Sequence, residues 1–215
     1  SLKMAYEVGY WDEDVIPEDW HMFLKCFFRL KGEVEIEPIF LPINSDAVKA
    51  ATYWGSLVMR YKQAKRHAWG AEDIGYAFWE LQMHPEIPLL RRARRFWALV
   101  ETHLLWSTHW FVLTLGGAIP AIVYSPLREM TPIAALPLLV SLLLTACLGP
   151  MIVIIFLDSL LHPSPKAGFT RWFLQSIHWF LLPVTSFFFA TLPALDAQTQ
   201  LMMRKPLVYQ VTEKA

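Results

Sequence analysis

Two adjacent carboxylates near the start of the chain have the residue type and the position for acid–base chemistry. Glu18 and Asp19 follow Pro17, which favours the start of a helix, and acids in the first turn interact well with the helix dipole. A carboxylate there could act as a general base, taking the proton of an acceptor hydroxyl as it attacks the anomeric carbon of a sugar. Ordinary first-turn acids without a catalytic role would show the same dipeptide.

A polar cluster further along the chain is the second candidate. Gln63, Arg66 and His67 are spaced three and four positions apart, so they share one face of a helix. The planar, permanently charged Arg fork suits a diphosphate leaving group, the amide can bond beside it, and the ring can stack on an acceptor sugar. The alternative is a solvated polar face, since Lys62 and Lys65 lie between and beside these residues.

Possible metal ligands are few. Asp12-x-Asp14 has the look of a divalent-metal motif, but a solvated acidic loop is the preferred interpretation. His103, His109 and His178 fall in or near apolar segments, and we interpret them as interfacial or packing residues, because His103 and His109 point to different helix faces. We therefore predict no metal site within this chain.

Charge and apolar character divide the 215 residues. The formal net charge is zero, which suggests no nucleic-acid partner, and two cysteines suggest no disulfide framework. Hydrophobic residues make up 55%, high for a soluble domain, and six Lys, Arg, Asp or Glu residues lie between Phe96 and Leu195. The sequence predicts a polar region at 1–90, a membrane region at 91–195 and a polar tail at 196–215.

The polar region is predicted to be mostly helical. From Trp20 the apolar residues recur at helical spacing until Gly32 ends the helix, and a strand is predicted from Val34 to Leu41. Another helix is expected over Asp73–Met83, followed by a proline-containing breaker at 84–88.

The helix that carries the polar cluster is predicted to begin after the strand. Ser45 or Asp46 would cap it, and it would run to about Trp69, where Gly70 stops it. Its buried face is predicted to comprise Val48, Ala51, Trp54, Val58 and Tyr61.

Three apolar stretches are close to the length that a bilayer requires: Trp106–Tyr124, Ile133–Leu157 and Trp172–Leu192. The four arginines of 91–95 precede them and mark the cytoplasmic side by the positive-inside rule. Residues 96–105 are predicted to form an interfacial helix, with those arginines at the headgroups. Three spans would place the basic tail outside, so its side of the membrane is left open.

Taken together, these motifs resemble the C-terminal half of a family 2 membrane glycosyltransferase, related to the processive cellulose and hyaluronan synthases. Pro17-Glu18-Asp19 is similar to that family's Thr-Glu-Asp, and Gln63-Ala64-Lys65-Arg66-His67 to its Gln-x-x-Arg-Trp, with His in place of Trp. The tail segment with Tyr209, Thr212 and Lys214 resembles the aromatic-x-Val-Thr-x-Lys gating segment of the synthases. The order of the motifs also agrees, and the resemblance covers nearly the whole chain.

The resemblance implies a function and a fold. Asp19, with Glu18, would supply the catalytic base of an inverting transfer from a nucleotide-sugar to a saccharide or lipid acceptor, polysaccharide synthesis included. Gln63, Arg66 and His67, with Trp69, would line the acceptor and diphosphate site, although His in place of Trp weakens the stacking surface that processive synthesis needs. The fold would be mostly α, namely the C-terminal part of an α/β GT-A domain followed by transmembrane helices.

The resemblance also implies a cellular setting and a missing element. The protein would lie in a bacterial-type inner membrane, multi-pass, with the catalytic part cytoplasmic and the lipid bilayer as a partner. The family binds Mg2+ or Mn2+ with an Asp-x-Asp that lies well before Glu-Asp, and Asp12 and Asp14 are too close to Asp19 to be that element. The donor-binding half is therefore expected outside these residues, and the chain alone is expected to be inactive.

A different class remains open on the residues alone. A non-enzymatic integral membrane protein, such as a transporter subunit or an assembly scaffold with a cytoplasmic cap, would show the same division into polar and apolar halves.

Overall fold

The computed structural model describes residues 2–39, 41, 50–161, 177 and 179–205, and these contain helices and no β-strand. The helices are α1 (Leu2–Glu7), α2 (Glu18–Arg29), α3 (Tyr53–Ala68), α4 (Asp73–Met83), α5 (Leu89–Leu115), α6 (Ile119–Val123), α7 (Thr131–Ala146), α8 (Leu148–Leu161), α9 (Leu182–Ser186) and α10 (Leu192–Met202). Two 3-10 turns cover Trp69–Glu72 and Ser125–Glu129, and a π-helical turn covers Phe187–Thr191. The chain forms two compact units, one of residues 1–107 with 188–215 and one of residues 108–187.

Helix α2 begins and ends where the sequence predicts. Its first turn carries the two acids after Pro17. It ends in a Schellman motif, in which Gly32 N–H bonds to the Phe27 carbonyl at 2.7 Å and Lys31 N–H to the Phe28 carbonyl at 3.2 Å. Lys31 and Gly32 both have positive φ, 55° and 80°, a backbone conformation that glycine adopts at little cost.

The core of the first unit forms around the apolar stripe of α2. Phe27 and Phe28 are at most 1% exposed, and burial of each such side chain contributes about 1.5–3 kcal/mol. The stripe packs against residues from α1, α4, α5 and the breaker loop: Ala5, Val8, Ala77, Ile87 and Leu99. The predicted helix over Asp73–Met83 is confirmed, and it supplies one wall of this core.

The predicted strand is not present among the described residues. Positions 33–39 and Leu41 have neither helix nor ladder pairing, and Leu41 N–H bonds back to the Ile39 carbonyl at 2.9 Å. A strand requires a partner for its backbone groups, and the described part of the chain offers none. Phe40, Ser45, Asp46 and Val48 lie outside the described residues.

Helix α3 begins later than predicted and buries a different face. Thr52 is its N-cap, and the Thr52 hydroxyl accepts a hydrogen bond from Gly55 N–H at 3.0 Å. The predicted buried face is wrong for Trp54 and Val58, which are 75% and 53% exposed. The buried positions are the alanines Ala64 and Ala68, because the helix that packs against α3 is α10, which presents Ala194 and Ala197. Small side chains on both helices allow close approach.

Three of the four arginines at the start of α5 bind back onto the first unit. Arg91 donates to the backbone carbonyl of Gly32 at 3.3 Å, and Arg92 donates to that of Leu81. The guanidinium of Arg95 lies 5.4 and 5.7 Å from the centres of two α2 phenylalanine rings, Phe23 and Phe27. Three of the arginines thus have contacts within the protein, and their predicted position at lipid headgroups stays a prediction.

One helix of the described residues, Thr131–Asp158, is long and apolar enough to cross a membrane by length and composition. It comprises α7 and most of α8. The stretch Trp106–Tyr124 is divided instead, because α5 ends at Leu115 and α6 starts at Ile119. Part of Trp172–Leu192 lies outside the described residues, and its remainder is interrupted by a π-helical turn. Residues 96–105 lie within α5, whose Leu99 and His103 are covered by protein.

Candidate active site

The residues that flank the two motifs lie close together in the first unit. Ile16, just before α2, packs in the small cluster that contains Ala68 and Trp69 at the end of α3. A Cβ atom built on Gly70 would lie 3.6 Å from Cβ of Pro17. The first turn of α2 and the last turn of α3 are thus neighbours, although about fifty residues separate them in the sequence.

Asp19 differs from Asp12, Asp73 and Asp196 of this unit, whose carboxylates are paired with other side chains. It is exposed in the first turn of α2, and its side chain forms no hydrogen bond or ion pair with another described residue. Asp12, Asp73 and Asp196 are each held by at least one basic or aromatic side chain. An exposed carboxylate at a helix N-terminus is accessible to an incoming hydroxyl.

The carboxylate of Glu18 affects the pKa of His67 in the second motif. His67 is exposed at the end of α3. Partial desolvation lowers the pKa of its ring most, and the guanidinium groups of Arg66 and Arg60 lower it further. The carboxylate of Glu18 opposes them and raises this pKa. The net lowering favours a neutral imidazole near pH 7, which can stack or bond beside Arg66 without repelling it.

Arg60 joins the predicted polar face. Its Nη1 donates to Oε1 of Gln63 at 3.2 Å, which fixes the amide oxygen toward the guanidinium. Gln63 and Arg66 are half-buried, so this face is a shallow polar surface. Arg60 was not among the predicted site residues, although its spacing of three residues before Gln63 and seven before His67 indicates that it shares their face.

Trp69 does not present a stacking surface. It is 3% exposed and packs with Ala194 and Ala197 of α10, and its side chain bonds to the carboxylate of Glu72. The ring supports the end of α3 from inside. The ring thus lies inside the fold while His67 is exposed, and the predicted place of Trp69 in the acceptor site stays a prediction.

Helix α10 supports α3 with a polar contact as well. Asp196 accepts from Nζ of Lys65 at 2.8 Å and from the hydroxyl of Tyr61 at 3.3 Å. Gln200 donates to the other carboxylate oxygen at 3.0 Å. The charged side of α3 that faces α10 is therefore occupied by these contacts, and Gln63 and His67 lie on a different face of the helix.

A buried network below the first turn of α2 has no counterpart in the sequence analysis. His21 contacts Oδ1 of Asp73 at 2.5 Å through Nδ1 and Oδ2 of Asp12 at 3.2 Å through Nε2. Nζ of Lys25 holds the other oxygen of Asp12 at 2.8 Å. His21 and Asp73 are 52 residues apart in the sequence, so no local sequence pattern predicts their contact.

These contacts decide the interpretation of Asp12-x-Asp14. Both oxygens of Asp12 are engaged by cationic side chains, and the partner groups lower the pKa of this carboxyl, Lys25 most of all. Within the described residues, no group of three or more His, Cys, Asp or Glu side chains could hold a metal ion. The described residues therefore do not fit a divalent cation, and the absence of a metal site elsewhere in the chain stays a prediction.

Comparison with known proteins identifies the family to which the chain belongs. The model of glycosyl transferase family group 2 matches residues 1–148, which include both motifs, α2 to α5 and α7. The chain belongs to this family. Searches of curated proteins and of solved structures found no significant match.

Behind the two motifs of this glycosyltransferase lies a buried histidine. His103 of α5 is 5% exposed and stacks on Trp106 with 6.2 Å between ring centres. Burial lowers the pKa of its ring, and a Cβ atom on Gly70 would lie 3.1 Å from its Cε1. Gly70 thus gives the ring the space to sit behind the contact between α2 and α3.

The remaining predicted positions of the glycosyltransferase fall in the second unit or outside the described residues. His109 lies in the second unit, where its Nε2 is 2.9 Å from Oγ of Ser186. His178, Tyr209, Thr212 and Lys214 lie outside the described residues.

Proposed function

We propose that this chain carries the acceptor side of an inverting membrane glycosyltransferase, which transfers a sugar from a nucleotide-sugar to a saccharide or lipid acceptor. One observation carries the proposal. The helix turn with the exposed carboxylate of Asp19 lies next to the polar end of α3. Membership of glycosyl transferase family group 2 supports a glycosyltransferase. The contact between Ile16 and the end of α3 and the action of Glu18 on His67 support the pairing of the motifs.

Asp19 is the proposed general base. Its carboxylate takes the proton of the acceptor hydroxyl, the hydroxyl oxygen forms a bond to the anomeric carbon, and the bond from that carbon to the nucleoside diphosphate breaks. The diphosphate leaves with the bonding electron pair, and attack from the opposite face inverts the anomeric configuration. Glu18 lies beside Asp19 and supports the negative potential of this turn, while its charge acts on His67.

The polar face of α3 is proposed to hold the reacting groups. Arg66, with Arg60 beside it, suits the negative charge that develops on the diphosphate, because a guanidinium stays ionised and donates several hydrogen bonds. Gln63 is oriented by Arg60, and the neutral ring of His67 offers a surface for the acceptor sugar. Trp69 keeps this turn in place from below.

Mg2+ or Mn2+ and the nucleotide belong to the proposal as partners held by residues outside this chain. The described residues offer no ligand set for the cation, so no step here passes through it. The chain alone is accordingly proposed to be inactive.

A membrane setting is also part of the proposal. The helix Thr131–Asp158 has the length and composition of a span. We propose a multi-pass protein of a bacterial-type inner membrane, with the motifs on the cytoplasmic side and polysaccharide as one product class. A gating role for Tyr209, Thr212 and Lys214 is proposed from the tail sequence alone.

Substitution of Asp19 tests the proposed base. In the full-length protein that contains this chain, Asp19→Asn is expected to lower kcat by roughly 10²- to 10⁴-fold with little change in folding, since an amide cannot accept the proton. The measurement is release of nucleoside diphosphate from a panel of nucleotide-sugars.

Asp14→Asn is the matched control. Asp14 is an exposed acid in the loop just before α2, and its removal changes the net charge equally. Near-normal turnover of Asp19→Asn, or an equal loss in Asp14→Asn, would remove Asp19 from its role.

A further inference from the structure

A buried histidine lies between two carboxylates from different parts of the first unit. His21 belongs to the second turn of α2 and is 7% exposed. Asp73, which accepts from Nδ1 at 2.5 Å, opens α4 and is 1% exposed. Asp12, which contacts Nε2 at 3.2 Å, lies in the loop before α2. Both ring nitrogens therefore face carboxylate oxygens.

Lys25 secures the loop side of this arrangement. Its side chain is 5% exposed, and Nζ donates to Oδ1 of Asp12 at 2.8 Å and to the carbonyl of Tyr10 at 2.9 Å. The loop before α2 is thus tied to the helix one turn below the proposed base. His21 also lies on the ring of Tyr76 of α4, with 4.4 Å between ring centres.

The arrangement joins the two elements that carry the motifs. Asp73 follows directly on the turn Trp69–Glu72, which itself continues from the last turn of α3. His21 is two residues after Asp19 on α2. The ion-paired ring of His21 therefore connects the first turn of α2, which carries Asp19, to the chain segment that follows His67 and Trp69.

The groups that face His21 favour its charged form. Asp73 raises the pKa of the ring most, Asp12 raises it further, and burial opposes both. Lys25 is the nearby cation, held by Asp12, while Glu72 lies close enough for the charge of His21 to act on its pKa. Because the folded pKa is raised, the ring keeps its charge to higher pH than a free imidazole and loses it as pH rises through the folded value.

We propose that His21 is a positioning residue, whose ion-paired imidazolium between Asp12 and Asp73 holds the Asp19 turn in register with the end of α3 for sugar transfer. This inference rests on the proposed function. His21 does not need to touch either substrate in this role. Asp73, at the start of α4, holds the ring of His21 in place.

The kinetic experiment compares two histidines of the same chemistry in the full-length protein. His21→Gln is expected to lower kcat roughly ten- to hundredfold, because the base is misplaced, with the KM of the acceptor changed little. His84→Gln is the control, since His84 also bridges two carboxylates, Glu80 at 2.9 Å and Glu86 at 2.7 Å, but at the end of α4. The wild type and His84→Gln are expected to lose activity as pH rises through the pKa of His21. The residual activity of His21→Gln is expected not to fall over that pH range.

A second experiment is independent of sugar transfer. NMR titration of the histidine rings should place the pKa of His21 above the ordinary 6.5 and should lower it in Asp73→Asn. Amide exchange of residues 18–24 should rise in His21→Gln and in Asp73→Asn and not in His84→Gln. Unchanged exchange, or equal kinetics of the two histidine variants, would overturn the positioning role. Failure of every variant and of the wild type to transfer sugar would instead overturn the proposed function and leave the titration intact.

Discussion

At the scale of single residues, pairing decides which carboxylates are available. Asp12 and Asp196 have bonding partners on both oxygens, and Asp73 is buried against His21. Asp19 lies at a helix start without such a partner among the described residues. Asp12 and Asp73 therefore act as structural anions, whereas the exposed carboxylate of Asp19 is accessible for its proposed role as base.

The paired groups predict how stability depends on pH. The folded pKa of Asp12 is lowered, so its contribution is present above the unfolded value of 3.8 and is lost as pH falls through the folded value. The folded pKa of His21 is raised, so its contribution is present below 6.5 and is lost as pH rises through the folded value. The free energy of unfolding should be highest between these limits, as measured by denaturant unfolding in detergent over a pH series.

His21→Gln supplies the comparison for that series. It should remove the decline on the alkaline side and leave the acidic side, to which other carboxylates contribute. An unchanged alkaline decline in this variant would show that another group causes it.

At the scale of elements, close packing of small residues defines the end of α3. Ala68 packs with Ala194 and Ala197 of α10, and the larger apolar residues of α3 line an open groove of about 480 Å³ with Phe188 and Phe189. Periodicity identifies apolar positions on a helix, but it does not show which neighbour covers them. The buried face of α3 was for this reason mispredicted.

Two glycines on neighbouring elements give a matched pair of substitutions. Gly70→Ala should destabilise the protein by about 1–3 kcal/mol, because the new Cβ would lie 3.1 Å from the ring of the buried, stacked His103. Gly75→Ala should stabilise it by about 0.5–1 kcal/mol, because no atom lies within 4 Å and alanine favours the helix. Denaturant unfolding measures both changes, and equal effects would contradict the assigned packing.

At the scale of the whole molecule, local signals were predictable and long-range partners were not. The start of α2 after Pro17, its end near Gly32 and the helix Asp73–Met83 follow from local residue types. The contact of His21 with Asp73 and the burial of Trp69 against α10 depend on chain segments far apart. The meeting of the two motifs was anticipated only through the family resemblance.

The candidate span predicts a position-dependent effect of charge. Leu143 lies near the centre of Thr131–Asp158 and Leu161 lies beyond its end, and both are exposed on the protein surface. Leu143→Lys should weaken membrane insertion, since a central Lys costs about 2.5–3.5 kcal/mol, whereas Leu161→Lys can place its charge at the interface. Resistance to carbonate extraction measures the difference, and equal extraction of the two variants would argue against a span here.

The packing of α10 on α3 has a consequence for the order of synthesis. The last turn of α3 is covered by Ala194 and Ala197, which the ribosome adds more than a hundred residues after Ala68. At about 5–20 residues per second, the growing chain carries an uncovered Trp69 for roughly 6–25 seconds. The polar face of α3 is therefore completed late, after the apolar helices have been made, so that truncation before Leu192 would leave it permanently unsupported.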